Sequence, residues 1–225
     1  FMQNEIENMM HRLKPFSKKI VLMTHLKSSS GKKMSRKVTN KQFNLFTKTT
    51  LSLKQKQHNF LTSVSNSGGI LNFDDFFSDI ERPGLSLYGS HFQNKSKNFR
   101  LKNVTTLVSK IIAIKEIKKG DTVGYDGLWQ AKKNTSIGII PIGYSDGIPF
   151  NYGNKGYVLI NKAKAKVIGR VAMDLMAVVL PNKKVKLGEH IILWRKDLKV
   201  DELALLSDNI PYSFMTSLSN RVKRK

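Results

Sequence analysis

Between Val104 and Trp194 the chain reads as short apolar runs broken by turn residues at close intervals. Val104 to Ile117 is rich in β-branched residues and ends at the turn Lys119-Gly120-Asp121. Further strands are predicted at Ser136 to Ile142, Tyr157 to Ile160, Ala165 to Ile168, Met176 to Leu180 and His190 to Trp194. Asp126-Gly127, Asn154-Lys155-Gly156 and Lys186-Leu187-Gly188 punctuate them as turns. Closely spaced strands with this punctuation argue an all-β domain. Asp201 is expected to N-cap a short helix through Leu206, and Tyr212 to Asn220 a second.

The first 89 residues have a different character. Lys19 to His25 reads as a short buried strand. Residues 26–40 are polar, basic and Ser-rich, and read as a loop or a damaged helix. Lys41 to Lys56 is predicted helical, with Phe43, Leu45 and Phe46 as apolar contacts. Phe60 to Leu71 reads as strand, followed by a turn. Strands alternating with helices point to pieces of a βα barrel. Residues 90–102 form a polar, basic connector. The fold class is therefore α/β plus all-β: a partial, second-half TIM-type βα barrel over residues 1–96, then a β domain over 97–225.

Composition excludes several classes. The chain has no Cys, so disulfides and thiolate metal sites are ruled out, which fits a reducing, cytoplasmic setting. No apolar run approaches the roughly 18–20 residues of a membrane span. No metal-ligating set is read from the sequence. The net charge is 39 − 16 = +23. The charge fits either a phosphate-rich partner or a solvated basic surface. The basic residues are scattered and lack an aromatic RNA-binding signature, which favours the surface and argues against a nucleic-acid partner.

Four motifs follow in order: Arg82-Pro83-Gly84-Leu85-Ser86-Leu87-Tyr88-Gly89, Val123-Gly124-Tyr125, Ile142-Gly143-Tyr144-Ser145-Asp146-Gly147 and Gly169-Arg170-Val171-Ala172-Met173-Asp174. Together they resemble the second half of pyridoxal-phosphate-dependent alanine racemases. The resemblance implies an N-terminal βα barrel that holds pyridoxal 5'-phosphate and a C-terminal β domain. It also implies a head-to-tail homodimer, with sites that borrow residues from the partner, interconverting L-alanine and D-alanine through a cofactor aldimine. Racemisation needs one base on each face of the Cα. Tyr125 matches the tyrosine base. A free phenol has a pKa of about 10 and needs nearby cationic or donor groups to act at neutral pH. Asp126 follows where the family usually has Gly, and an inward-pointing carboxylate would raise the phenol.

Further assignments follow from the same resemblance. Arg82 matches the arginine that donates to the cofactor's pyridine nitrogen, and its guanidinium keeps its protons. Gly84 and Leu85 match the amides that hold the phosphate, Ser67 the phosphate-binding hydroxyl, and Tyr212 the C-terminal tyrosine that reaches it. Tyr144 matches the tyrosine near the substrate entrance. Met173 matches the position whose amide binds the substrate carboxylate. Glu7 to Leu13 resembles the family's Asp-Thr-Gly-Met-x-Arg-Leu-Gly, which places Arg12 on the substrate carboxylate. Thr24-His25 matches the strand-end histidine linking the tyrosine base to the arginine. Phe150 stands where an arginine is common.

The family's cofactor lysine lies in a stretch like Val-Lys-Ala-Asn-Ala-Tyr-Gly-His, and no lysine here has that setting. The start on Phe1 then reads as a fragment or an internal start, with the first half of the barrel before it. The readings that stay open are half of a split enzyme completed by an N-terminal half-chain, a catalytically dead remnant, and a basic nucleic-acid-binding module. Half a barrel leaves a sheet edge and apolar faces open, so it should need a partner or fold poorly.

Overall fold

The computed structural model describes residues 3–13, 19–30, 32–56, 58–90 and 101–224. The chain divides into two compact units: Phe1–Leu87 with His91–Leu101, and Tyr88–Ser90 with Lys102–Lys225. The boundary expected between residues 96 and 97 lies outside the described residues, as does most of the 90–102 connector.

The first unit opens with helix α1 (Gln3–Leu13). Strand β1 (Val21–Met23), helix α2 (Lys33–Gln55), strand β2 (Leu61–Asn66), helix α3 (Ser67–Asn72) and strand β3 (Ile80–Arg82) follow. The strands form a three-stranded sheet in the order β1-β2-β3, and both pairings are parallel. Helices cover one face. Val64 packs with Leu26, Phe73, Phe76, Phe43 and Phe46, while Leu22 packs with Met10, Leu53 and Phe60. Phe76 stacks between Phe43 and Phe73, at 4.2 and 4.5 Å between centroids. Each such pair adds about 0.5–1.5 kcal/mol beyond its burial. Among the described residues, nothing covers the other face. Val21, Met23, Leu61 and Ile80 are exposed, and the register puts them on one side, together with Ser63 and Arg82.

Four expectations for this unit are corrected. The strand at 19–25 shrinks to Val21–Met23 and is not buried, because among the described residues nothing covers the face of Val21 and Met23. Residues 33–40 are neither loop nor damaged helix but the first turns of α2. Their polar residues turn inward: the buried Thr39 hydroxyl donates to Ser35 O at 2.8 Å and also to Ser28 O. Leu45 is solvent-exposed rather than a contact. The strand from Phe60 ends at Asn66, whose side chain accepts from Gly69 N at 3.0 Å and starts α3.

The second unit holds strands β4 (Leu107–Lys110), β5 (Ala113–Ile117), β6 (Thr122–Val123), β7 (Trp129–Gln130), β8 (Thr135–Ile140), β9 (Tyr157–Ile160), β10 (Ala163–Ile168), β11 (Met176–Val179) and β12 (His190–Trp194). Seven form an antiparallel sheet ordered β4-β12-β9-β10-β11-β8-β5, and β6 pairs with β7. Apolar, largely β-branched alternation drives this: Val158, Ile160, Val167 and Ile191, with Leu193, point into a core closed by Tyr152, Trp194 and Phe214. Tyr152 is buried, donates to Tyr157 O at 2.6 Å and accepts from Tyr157 N at 3.1 Å. The chain ends in α4 (Val200–Leu206) and α5 (Pro211–Thr216). Asp201 does not cap α4. Lys199 holds that position, and Asp201 sits in the first turn, accepting from the Ser90 hydroxyl at 2.5 Å. Helix α5 is also shorter than the predicted 212–220. Among the described residues no helix is long and apolar enough to cross a membrane.

Candidate active site

Ligands of parallel sheets gather at the C-terminal strand ends. Arg82 closes β3, and its guanidinium spans the neighbouring strands. One Nη donates to Thr24 O, just past β1, at 2.9 Å and to Val64 O of β2 at 3.2 Å; the other donates to Ser63 Oγ. Three of its five N–H groups are thereby fixed, and two have no acceptor among the described residues. Beside it, Ser67 opens α3 and is buried. Its Oγ accepts from Gly84 N at 2.9 Å and Ser86 N at 3.1 Å, and lies 3.1 Å from Ser86 Oγ. A hydroxyl with two converging amides is a donor set suited to a phosphate. Leu85 is buried, between these two amides in sequence.

His25 and Arg12 stand apart from this cluster. His25 is exposed, and its backbone carbonyl accepts from Gln42 Nε2 at 2.8 Å. Arg82 bonds to the carbonyl of Thr24, and no hydrogen bond joins it to the His25 imidazole among the described residues. Arg12 is exposed in the last turn of α1.

In the second unit, three of the motifs lie against one another. Tyr125 is exposed and begins a single 3-10 turn after Gly124. Gly124 and Gly169 both take positive φ (83° and 68°) and lie back to back; a Cβ on Gly169 would meet Val123 O at 2.8 Å. Asp126 also has positive φ, which Asp tolerates. Its carboxylate pairs with Arg170 at 2.9 Å, so that charge is met by a guanidinium. Arg170 also lies over the Phe150 ring at 5.5 Å, and Phe150 packs edge-on to Tyr144 at 6.2 Å.

The loop at 143–147 is clamped onto 172–174. Tyr144 N donates to Ala172 O and Ser145 N to Met173 O, both at 3.0 Å. Arg221 ties the two segments together, at 3.2 Å from buried Asp146 and 2.6 Å from Asp174. The Arg221 hydrogen bond, then that from Ser145, holds the Asp174 carboxyl below the usual carboxylate range. Asp146 in turn accepts from Gly143 N at 2.9 Å. Met173 and Tyr144 are left half exposed, and the Met173 N–H has no acceptor among the described residues. Tyr212 is exposed on the first turn of α5. Sequence reasoning missed Arg170, Arg221 and Ser86. Arg221 was counted only among the scattered basic residues, although Asp146 and Asp174 within the named motifs were a signal that cations were needed.

A parallel strand-helix unit with donors at its strand ends, joined in sequence to an antiparallel β unit bearing exposed tyrosines, defines a two-unit α/β plus β protein. Residues 1–91 match the alanine racemase N-terminal domain and residues 104–225 the alanine racemase C-terminal domain, so the chain belongs to the alanine racemase family. The alanine racemase of Borreliella burgdorferi strain ZS7 is 41% identical over 195 residues, covering 84% of this chain and 52% of the relative. The chain thus spans about half the length of that relative. The solved biosynthetic alanine racemase of Pseudomonas aeruginosa superposes with a TM-score of 0.88 at 28% identity, over 100% of this chain and 62% of that one. That of Bartonella henselae, with covalently bound pyridoxal phosphate, gives 0.84 at 27% identity and the same coverage.

Proposed function

We propose that this chain supplies the larger part of an alanine racemase site, and that its three parallel strands are a section of a βα barrel. The observation that carries this reading is Arg82 fixed across the strand ends beside the Ser67, Gly84 and Ser86 donor set. These residues fit pyridoxal 5'-phosphate. Ser67 Oγ and the amides of Gly84, Leu85 and Ser86 would hold its phosphate with Tyr212, and the free N–H groups of Arg82 would face the ring nitrogen. When bound, the cofactor supplies an electron sink for a carbanion at the alanine Cα.

The chain's own residues then do the following. Tyr125 Oη exchanges the Cα proton on one face. The Met173 N–H and Arg12 bind the alanine carboxylate. Tyr144 narrows the approach, and His25 orients the phenol. Such a site draws on residues from both copies of a homodimer. The opposite face needs a lysine amine, and no lysine in these 225 residues has the expected setting. A complementing half-chain would supply it.

The test is reconstitution. The chain is co-expressed with the lysine-bearing N-terminal part of the Borreliella burgdorferi relative, and pyridoxal phosphate is added. Stereospecific D-alanine formation is expected, and Tyr125→Phe should abolish it. Unchanged activity in Tyr125→Phe would remove the tyrosine assignment. A folded complex that binds pyridoxal phosphate but forms no D-alanine would leave a non-catalytic remnant.

A further inference from the structure

Glu7 and His11 lie one helical turn apart on the same face of α1, and His58 follows the end of α2. One ligand atom from each falls within 4.8 Å of the other two. The two imidazoles meet edge to face, 4.9 Å between centroids and 77° between planes. A carboxylate with two imidazoles is a donor set that suits a zinc-class divalent cation, and tetrahedral coordination wants ligand atoms about 3.3 Å apart. His11 is exposed and Glu7 and His58 are half-buried, which leaves their side chains free to rotate toward a shared ion. The backbone beneath is already fixed. Met10 on α1, Leu53 on α2 and Phe60 at the head of β2 form a buried cluster, with Ile6 packed against it.

We propose that Glu7, His11 and His58 bind one zinc-class divalent cation, which staples α1 to the end of α2 and leaves a fourth position to water. Lys56 now sits on the Glu7 carboxylate, 2.7 Å from each oxygen. Its ammonium is half exposed, so the cation displaces it into solvent. The lysine is then a competitor, which gives the proposal a direction that a chance cluster lacks.

The experiment uses the full, untagged chain stripped with chelator and titrated with Zn2+ against a chromophoric indicator, with Co2+ spectra alongside. One ion per chain, tetrahedral Co2+ bands and a raised unfolding temperature are expected. His11→Ala and His58→Ala should each weaken binding by roughly tenfold or more. Lys56→Met should tighten it by about threefold. Glu7→Gln gives a further measure should His58→Ala disturb the fold. Binding that does not saturate at one ion per chain overturns the proposal, as does binding that the two histidine variants leave unchanged.

Discussion

Gly143→Ala tests whether the clamp between the 143–147 loop and the 172–174 segment is as tight as the geometry says. A Cβ at position 143 would lie 2.3 Å from both Ala172 O and Met173 O, well inside contact distance of two backbone atoms. The carbonyls must retreat, and overpacking of this kind costs about 1–3 kcal/mol. Their retreat also stretches the hydrogen bonds from Tyr144 N and Ser145 N, each worth about 1 kcal/mol. The sum is about 3–5 kcal/mol. The control is Gly188→Ala, where φ is +82° and a Cβ meets nothing within 4 Å. Only the left-handed backbone penalty applies there, about 1 kcal/mol. With a slope of about 2 kcal/mol per molar urea, the midpoint should fall by about 1.5–2.5 M for Gly143→Ala and about 0.5 M for Gly188→Ala. The assay is equilibrium unfolding followed by the fluorescence of Trp129 and Trp194, with the slope checked for constancy. Equal shifts in the two variants would refute the close approach and the positioning of Met173 built on it.

Ser67→Ala removes the acceptor for the Gly84 and Ser86 amides. It should destabilise the first unit by about 1–2 kcal/mol in urea unfolding, and should weaken pyridoxal phosphate binding in the reconstituted enzyme. Tyr152→Phe leaves Tyr157 N and O without their phenol partner, at about 1–3 kcal/mol near neutral pH. The same residue sets a pH dependence. Burial pushes the Tyr152 phenol well above its ordinary value, while the unfolded phenol ionises near pH 10, about the model-peptide value. Its contribution is present below pH 10 and shrinks as pH rises through and beyond that point, because only the unfolded state ionises. Stability measured from pH 9 to 11 should therefore fall more steeply in the wild type than in Tyr152→Phe.

The second unit was readable because antiparallel strands carry their signal locally. Tyr157–Ile160 and His190–Trp194 fall where the apolar runs put them. The β9–β10 turn escaped because Asn161 and Lys162, rather than a glycine, take positive φ there. In the first unit the start of α2 was hidden. Lys32 caps it without a side-chain bond, and the hydroxyls that look like loop residues are buried against Ser28 and Ser35. The motifs named Arg82 and Ser67 but not their contacts. Thr24, Ser63 and Arg82 meet only through parallel register, across 58 and 19 positions of sequence. Arg221 reaches Asp174 across 47 positions, which no local pattern records.

The uncovered face of the first sheet joins stability to chemistry. Parallel sheets are normally buried on both faces, yet Val21, Met23, Leu61 and Ile80 are open to water on the side that carries Arg82. In the chain's described residues β1 and β3 each have one strand neighbour. In the barrel proposed above, the strands that close it would cover those four side chains and take the water from around the guanidinium at the same time. The two unused N–H groups of Arg82 would then bind an acceptor in a lower dielectric, where the same hydrogen bond is stronger. Covering the apolar residues favours the completed sheet, and the Arg82 contacts to Thr24, Ser63 and Val64 keep the desolvated cation satisfied. A substitution such as Leu61→Ser, remote from any reacting atom, should therefore weaken both association with a complementing half-chain and the pyridoxal phosphate affinity of the complex. Loss of association with cofactor affinity intact in the residual complex would separate the two and break the argument.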